Sequence, residues 1–174
     1  MKSSKTVFVD CNDTVIAVRH ANRGEEAPEG FRAFERDGQW YHVKARPSAA
    51  AFLSALADEG CDIVILTGGH SRMQHIILSF GRLADHYDDL VGSDNRGAVE
   101  LPERWVLDDD LQGGTTSFEE KLSMLGISKK TLGEAKYRQI VERHCIQCAP
   151  YKMGEDTEPL TGLTETVLAR LTAQ

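Results

Sequence analysis

Three apolar runs in this sequence each end in side chains that can do chemistry. Asp10 follows the first run, Thr67 follows a later one, and the acidic series Asp108–Asp110 follows another. In an open α/β sheet, ligands bind in the crevice at the carboxyl ends of the strands. Parallel strands would bring these side chains to one sheet edge although they lie far apart in the chain. Asp10 is therefore the first candidate for a catalytic residue.

Carboxylates gathered at one sheet edge repel one another unless a cation lies among them. Hard oxygen ligands of this kind suit Mg²⁺, and a carboxylate beside Mg²⁺ can be the nucleophile of phosphoryl transfer through an aspartyl-phosphate. Each feature also has a purely structural interpretation: Asp10 can cap a helix, Asp108–Asp110 can be a solvated turn, and Thr67-Gly68-Gly69 can be a tight turn. Their order on successive strand ends favours the catalytic interpretation.

The segments that must position these side chains alternate between strand patterns and helix patterns. Strand patterns are short apolar runs, and helix patterns carry apolar residues at helical spacing. The predicted strands are 6–10, 62–67, 89–92, 105–107 and one at Cys145; the predicted helices are 48–60, one ending at Gly81, one beginning with the capping pattern Ser117–Glu120, 132–142 and one containing 160–171. The alternation predicts an α/β fold with a doubly wound parallel sheet, in a single domain over 1–174.

A hairpin signal interrupts this alternation early in the chain. Residues 17–35 are polar with no clear periodicity, and Asp37-Gly38 then separates two short alternating arms, which is typical of a tight β-turn. We expect a flap insertion at about residues 16–45. It would overhang the crevice near Asp10 or form an edge hairpin with no functional contact, and the sequence leaves both open.

Composition excludes several classes of protein. The net charge of −7 argues against broad nucleic-acid binding, because neutralising phosphates needs a basic surface. No apolar run approaches the length of a membrane span or a signal segment, so we expect a cytoplasmic protein.

Cys145 and Cys148 form a single C-x-x-C motif. A structural zinc site usually has four ligands from two such pairs, and this sequence has no second pair. We interpret that segment as a buried strand, with a redox or metal role as the alternative.

The strand-end residues resemble the motifs of the haloacid dehalogenase (HAD) superfamily of phosphohydrolases. Its first motif reads Asp-x-Asp-x-Thr after an apolar run, which appears here as Asp10-Cys11-Asn12-Asp13-Thr14. Its second motif, a hydroxyl residue ending a strand, matches Thr67-Gly68. Its fourth, an acidic pair ending a strand, matches Asp108-Asp109. Arg46-Pro47 and Phe52-Leu53 further resemble the small-CTD-phosphatase group, also called NLI-interacting-factor-like.

The resemblance implies a Rossmann-like core without a large cap domain, and it implies a role for each matching residue. Asp10 would attack the phosphorus and also bind Mg²⁺. The main-chain carbonyl of Asn12 and the carboxylate of Asp109 would be further metal ligands, with Asp108 binding a metal-bound water. Thr67 would donate its hydroxyl to the phosphoryl oxygens, with the amide of Gly68 close by.

The residue at position 12 departs from the family pattern. The family has an aspartate there, which protonates the leaving group and later activates water, and this chain has Asn12. An amide cannot transfer a proton in this way, and general acid–base catalysis is typically worth a factor of about 10² to 10⁴. We therefore expect slow turnover and a persistent aspartyl-phosphate. A natural asparagine and an aspartate replaced to trap an intermediate would give the same sequence.

The lysine of the family's third motif is the second departure. No lysine occurs between Lys44 and Lys121, whereas Arg96 and Arg104 lie between the second and fourth motifs. Arginine can bind phosphate through a bidentate fork. Arg96 is the preferred candidate, because Arg104 is close to its strand.

Three functions compete for this arrangement. The first is a Mg²⁺-dependent phosphatase with an open crevice that accepts phosphorylated substrates, including macromolecules. The second is a non-catalytic protein that binds a phosphorylated partner, which Asn12 favours if it is natural. The third is a phospho-receiver domain, which places its acidic pair after the first strand and its phosphorylated aspartate later, unlike the pattern here.

Overall fold

The computed structural model describes residues 5–96, 101–109, 118–151 and 155–174, without the side chains of residues 108, 109 and 118. In chain order the strands are β1 (Lys5–Asp10), β2 (Ile16–Ala21), β3 (Arg32–Arg36), β4 (Gln39–Ala45), β5 (Asp62–Leu66), β6 (Asp89–Val91), β7 (Arg104–Asp109) and β8 (Cys145–Gln147). The helices are α1 (Ala49–Asp58), α2 (Ser71–Phe80), α3 (Phe118–Met124), α4 (Lys129–Leu132), α5 (Glu134–His144) and α6 (Thr164–Thr172).

Five of these strands form one parallel sheet in the order β6-β5-β1-β7-β8. The chain starts at the central strand, extends the sheet to one side with β5 and β6, and then returns to extend the other side with β7 and β8. This confirms the predicted doubly wound α/β fold. The strand order reverses between β1 and β7, and such a switch point opens a crevice at the carboxyl ends of the strands.

Both faces of this sheet are covered by helices, which explains the continuous apolar runs of the central strands. Along β1, Val7 and Val9 pack into a cluster with buried residues of α1, α2 and α6. Phe8, which points to the opposite face, packs into a second cluster with residues of α3 and α5. Neighbouring residues of a strand face opposite sides, so β1 contributes to two cores.

A separate antiparallel sheet, with the order β2-β4-β3, forms the flap. The predicted hairpin is present: β3 and β4 pair around a turn in which Asp37 (φ 52°) and Gly38 (φ 78°) both have left-handed backbone. The sequence did not reveal the third strand, β2, which pairs along all of its length with β4. The flap packs against the end of α2 through stacking of Phe34 on Phe80, with ring centroids 4.3 Å apart.

The helix ends partly follow the predicted signals. Gly60, with φ 75°, follows α1 as expected. Ser48 precedes α1 but does not cap it with its side chain. Its hydroxyl donates instead to Asp156 at 2.6 Å and accepts the amide of Leu160 at 2.9 Å. The predicted helix over 132–142 is α5, which a left-handed Gly133 separates from the short α4.

The predicted capping pattern at Ser117 lies outside the described residues, and α3 is described from residue 118 onward. In the described ranges, every helix is too short or too polar to cross a lipid bilayer.

Candidate active site

The backbone brings the predicted strand ends together at one edge of the parallel sheet. Asp10 is the last residue of β1 and is level with Leu66 of β5, so Thr67 begins the neighbouring loop. On the other side, the register between β1 and β7 brings Asp108 and Asp109 level with the last two residues of β1. Asp110 lies outside the described residues. This edge is at the switch point of the sheet, where α/β proteins bind ligands.

Asp10 is a buried carboxylate with a partner on each oxygen. Its relative exposure is 3%, and its Oδ2 accepts a hydrogen bond of 2.9 Å from the hydroxyl of Thr14. The ammonium nitrogen of Lys121 lies 2.7 Å from Oδ1 in an ion pair whose two side chains are 1% and 5% exposed. A buried charge is costly unless it is paired. The two contacts therefore offset the cost of burying this carboxylate and fix its orientation.

Sequence reasoning missed Lys121, because the family pattern places the neutralising lysine before the fourth motif. Here the lysine comes from α3, which follows β7. The sequence does contain a signal. Glu119 and Glu120 are exposed while Lys121 is buried beside Leu122 on the core side of the helix. A lysine on the apolar side of a helix requires a partner, and in this fold the partner is Asp10.

Arg96, the predicted substitute for that lysine, is not the described cation that pairs with Asp10. It is exposed, in the turn that follows β6. The cation in contact with Asp10 among the described residues is Lys121. Arg104, the other candidate, is the first residue of β7 and so lies at the opposite end of the strand from Asp109.

The loop after β1 is a tight turn around one carbonyl group. The main-chain oxygen of Cys11 accepts hydrogen bonds from the amides of Thr14, Val15 and Ile16 at 3.0 to 3.3 Å. Asp13 has left-handed backbone with φ 60°, and its amide donates to the carbonyl of Ile16. These bonds return the chain toward β1 within four residues, which lets Thr14 reach back to Asp10.

Asn12, at the tip of this turn, has oxygens that the described residues leave unused. Its side-chain Oδ1 is buried with no hydrogen-bond partner. Its main-chain carbonyl accepts no backbone hydrogen bond from the described residues, whereas those of Cys11 and Asp13 do. A buried acceptor without a partner is uncommon in proteins and indicates a missing ligand or a functional constraint.

Arg46 fixes the turn from the far side. The side chain is 1% exposed; Nη1 donates to the carbonyls of Thr14 (3.1 Å) and Ala149 (2.9 Å), and Nη2 donates to that of Glu158 (2.6 Å). Its Nε donates to Asp156 at 2.7 Å. Arg46 was singled out in the sequence as part of an Arg-Pro pair, and its position here is structural: it joins the turn after β1 to the C-terminal segment.

Thr67 is buried, and its hydroxyl accepts the amide of Gly69 at 3.2 Å. A hydroxyl that accepts one bond still has a proton to donate. Gly69 packs tightly against the turn after β6. Its carbonyl oxygen accepts a hydrogen bond of 2.8 Å from the amide of Ser93. The same oxygen is so close to Gly92 that a Cβ atom at that position would lie only 2.7 Å from it. The half-buried Gly68 lies between the two and presents only backbone.

The thiol next to Asp10 is buried and already hydrogen-bonded. Cys11 is fully buried, and its Sγ donates to the side-chain oxygen of Gln74 at 3.3 Å. Burial, with a smaller contribution from the neighbouring carboxylate of Asp10, raises the pKa of this thiol well above its usual value. Cys145 and Cys148 form no disulfide bond within the part of the chain that the structure describes.

The oxygens around Asp10 fit a hard cation. The buried carboxylate of Asp10 and the two oxygens of Asn12, which accept no hydrogen bond from the described residues, are oxygen ligands of the kind that Mg²⁺ prefers. The backbone of Asp108 and Asp109 reaches the same edge. Among the described side chains, histidine, cysteine, aspartate and glutamate form no cluster of three or more that could bind a metal.

Comparisons by sequence found neither a matching family model nor a matching curated protein. The fold, however, is similar to that of solved structures. Fcp1, described as an essential RNA polymerase II CTD phosphatase, superimposes with a TM-score of 0.54 at 16% identity, over 99% of this chain and 48% of that chain. The present chain thus spans about half the length of Fcp1.

A HAD-superfamily hydrolase from Ehrlichia chaffeensis is similar over a comparable extent. It superimposes with a TM-score of 0.50 at 8% identity, over 98% of each chain. At these identities the likeness concerns the fold. The parallel five-stranded core with helices on both faces is therefore an arrangement that this chain shares with a CTD phosphatase and with a HAD-superfamily hydrolase.

Proposed function

We propose that this chain is a Mg²⁺-dependent phosphohydrolase of the HAD superfamily that acts on a phosphate monoester through an aspartyl-phosphate. The main support is the environment of Asp10, a buried carboxylate at the end of the central strand in contact with Thr14 and Lys121. The fold shared with Fcp1 and the Ehrlichia hydrolase agrees with this proposal.

Each group near the sheet edge has a role in this proposal. An oxygen of Asp10 forms a bond to phosphorus while the bond to the leaving oxygen breaks, and water later attacks the same phosphorus to release phosphate and restore the carboxylate. Lys121 offsets the negative charge of the arriving phosphate. The hydroxyl of Thr67 and the amide of Gly68 donate hydrogen bonds to the phosphoryl oxygens. Arg96 is proposed to contact the substrate outside the buried site.

The proposed Mg²⁺ ligands are Asp10, the main-chain carbonyl of Asn12 and Asp109, with Asp108 binding through a water molecule. When bound, the ion would neutralise charge on the phosphoryl group. The fit of the site to a cation is supported by the unused oxygens of Asn12.

The resemblance to the small-CTD-phosphatase group suggests a phosphoprotein or another large phosphate ester as substrate. The structural likeness to a CTD phosphatase is consistent with that suggestion at the level of the fold. A cytoplasmic location stays a prediction from the sequence.

Asn12 supports a second candidate function, in which the chain binds a phosphorylated partner without turning it over. An amide keeps the size and polarity of the expected aspartate but cannot carry its proton. Lys121, Thr67 and the proposed metal site would still bind a phosphate in that case.

The two candidates differ in phosphate release from p-nitrophenyl phosphate with Mg²⁺, compared among this chain, Asn12→Asp and Asp10→Asn. We expect Asp10→Asn to abolish turnover, because it removes the nucleophile. We expect Asn12→Asp to raise kcat about a hundredfold or more, because it restores the group that activates water. If all three proteins are folded, bind Mg²⁺ and are equally inert, the phosphatase proposal fails and the binding function is favoured.

A further inference from the structure

Among the described side chains, few around Asp10 could donate a proton to a leaving group. Asn12 cannot donate a transferable proton, and its Oδ1 is buried without a partner. The ammonium nitrogen of Lys121 is 2.7 Å from Oδ1 of Asp10 and forms an ion pair with it. The Cys11 thiol is fully buried and donates to Gln74. None of these three groups has a proton that is available to a leaving oxygen, because the amide has none to transfer, the ammonium is paired with Asp10 and the thiol is bound to Gln74.

The need for such a proton depends on the leaving group. When an oxygen of Asp10 attacks phosphorus, the bond from phosphorus to the leaving oxygen breaks, and that oxygen departs with the bonding electron pair. The oxygen of an alkyl ester, such as that of a serine side chain, would leave as a strongly basic alkoxide unless a proton reached it. An acyl or phosphoryl oxygen leaves as a stable anion, and a phenol with a pKa of about 10 or below leaves as a moderately stable one.

We propose that this chain is specific for phosphoryl donors whose leaving group departs as an anion, namely acyl phosphates, aryl phosphates and phosphoanhydrides, and that Asn12 sets this specificity. The inference rests on the proposed function, because it concerns the same nucleophile. General acid catalysis contributes a factor of about 10² to 10⁴ in typical enzymes. Alkyl phosphates lose that factor here, whereas donors with acidic leaving groups lose little.

Two residues beside the site have groups that could supply a proton instead. Asp13 follows Asn12, and both its amide and its carbonyl are engaged, by Ile16 and by Tyr151. His70 lies three residues after Thr67, and its Nδ1 is 3.3 Å from a carboxylate oxygen of Asp94. Its side chain is 63% exposed. The test therefore includes Asp13→Asn and His70→Gln.

The experiment measures kcat/KM with Mg²⁺ for acetyl phosphate, pyrophosphate, p-nitrophenyl phosphate, phenyl phosphate and ethyl phosphate. Because kcat/KM reports the steps through formation of the aspartyl-phosphate, it isolates departure of the leaving group from the later attack of water.

We expect the chain to prefer the first four donors over ethyl phosphate by at least about a hundredfold. We expect Asn12→Asp to raise kcat/KM for ethyl phosphate at least about tenfold more than for p-nitrophenyl phosphate. The first four substrates also separate acyl, anhydride and aryl sources from one another.

The outcomes that contradict the inference are distinct from those that contradict the proposed function. If ethyl phosphate is cleaved within about tenfold of phenyl phosphate, and Asp10→Asn abolishes both reactions, the specificity proposal is wrong while the phosphatase function stands. Alkyl activity that disappears in Asp13→Asn or His70→Gln would assign the proton to that residue and overturn the role of Asn12. If neither this chain nor folded Asn12→Asp cleaves any donor in an Asp10-dependent way, the proposed function fails, and the specificity proposal with it.

Discussion

Two buried ion pairs lie on either side of the turn after β1, and they differ in how completely their polar atoms are used. Arg46 and Asp156 are 2.7 Å apart, as are Lys121 and Asp10. Four of the five N–H donors of Arg46 reach an acceptor. Beside the second pair, by contrast, Asn12 has a buried oxygen that accepts no hydrogen bond from the described residues.

This difference separates a structural role from a binding role. Arginine has a planar fork that can bind several fixed acceptors at once, and around Arg46 those acceptors are carbonyls from three separate segments. Lysine has a compact charge at the end of a flexible side chain. This suits a site where the group that the ammonium contacts changes during a reaction. The pair at Arg46 therefore fixes the position of the turn, and the pair at Lys121 is the one that we propose to take part in binding phosphate.

The largest effect on stability should come from Arg46→Lys. The variant keeps the charge but cannot reach Asp156 and the three carbonyls together, and each buried acceptor left without a donor costs about 1 to 3 kcal/mol. We expect the free energy of unfolding to fall by about 3 kcal/mol, measured by chemical denaturation. Arg36→Lys is the matched control, because Arg36 pairs at 3.4 Å with an Asp37 side chain that is 86% exposed. It should stay within about 0.5 kcal/mol of the parent chain, and equal losses for the two variants would contradict the structural role of Arg46.

Catalysis should depend on Lys121, and Lys121→Met tests the second ion pair. Removing a single preorganised charge from a phosphoryl site typically costs about a hundredfold in rate, which corresponds to about 2.7 kcal/mol. We expect kcat/KM for p-nitrophenyl phosphate to fall by about that factor. Lys129→Met is the control, because Lys129 belongs to α4 and its side chain is 43% exposed. Activity that survives in Lys121→Met, with the fold intact by circular dichroism, would favour Arg96 as the cation that binds phosphate.

The sequence was sufficient for those features that depend on local pattern. The strands at Asp10 and Thr67 were predicted from apolar runs ending in polar residues, and the turn was predicted from the Asp37-Gly38 pair between two alternating arms. β2 was missed because its sequence does not alternate between apolar and polar residues: Ile16 and Ala17 are both buried, and the polar residues Arg19 and His20 are also consecutive.

Features that depend on tertiary contacts were not predictable in the same way. Serine is a common helix-capping residue, and Ser48 directly precedes α1. Its hydroxyl nevertheless donates a hydrogen bond to Asp156, which lies more than a hundred residues later in the chain. Lys121 lies far from Asp10 in the chain and in an order that the family pattern does not contain. In both cases the partner of the side chain is distant in sequence, so no local pattern could indicate it.

The smallest expected effect concerns the acid dependence of stability at Asp156. Burial opposes ionisation of this carboxyl, but hydrogen bonds from Ser48 and Arg46 outweigh it, and its pKa is lowered. A carboxyl whose pKa is lower in the folded state stabilises the fold above its unfolded pKa of about 3.9, and that contribution is lost as the pH falls through the folded value.

Between neutral pH and about pH 3, the parent chain should therefore lose more unfolding free energy than Asp156→Asn, which has no charge to lose. Asp37→Asn, at an 86% exposed carboxyl, is the control and should keep the parent's acid dependence. If the parent and Asp156→Asn lose stability equally on acidification, the carboxylate of Asp156 adds nothing to the Arg46 contacts, and the carbonyl acceptors alone account for the rigidity of the turn.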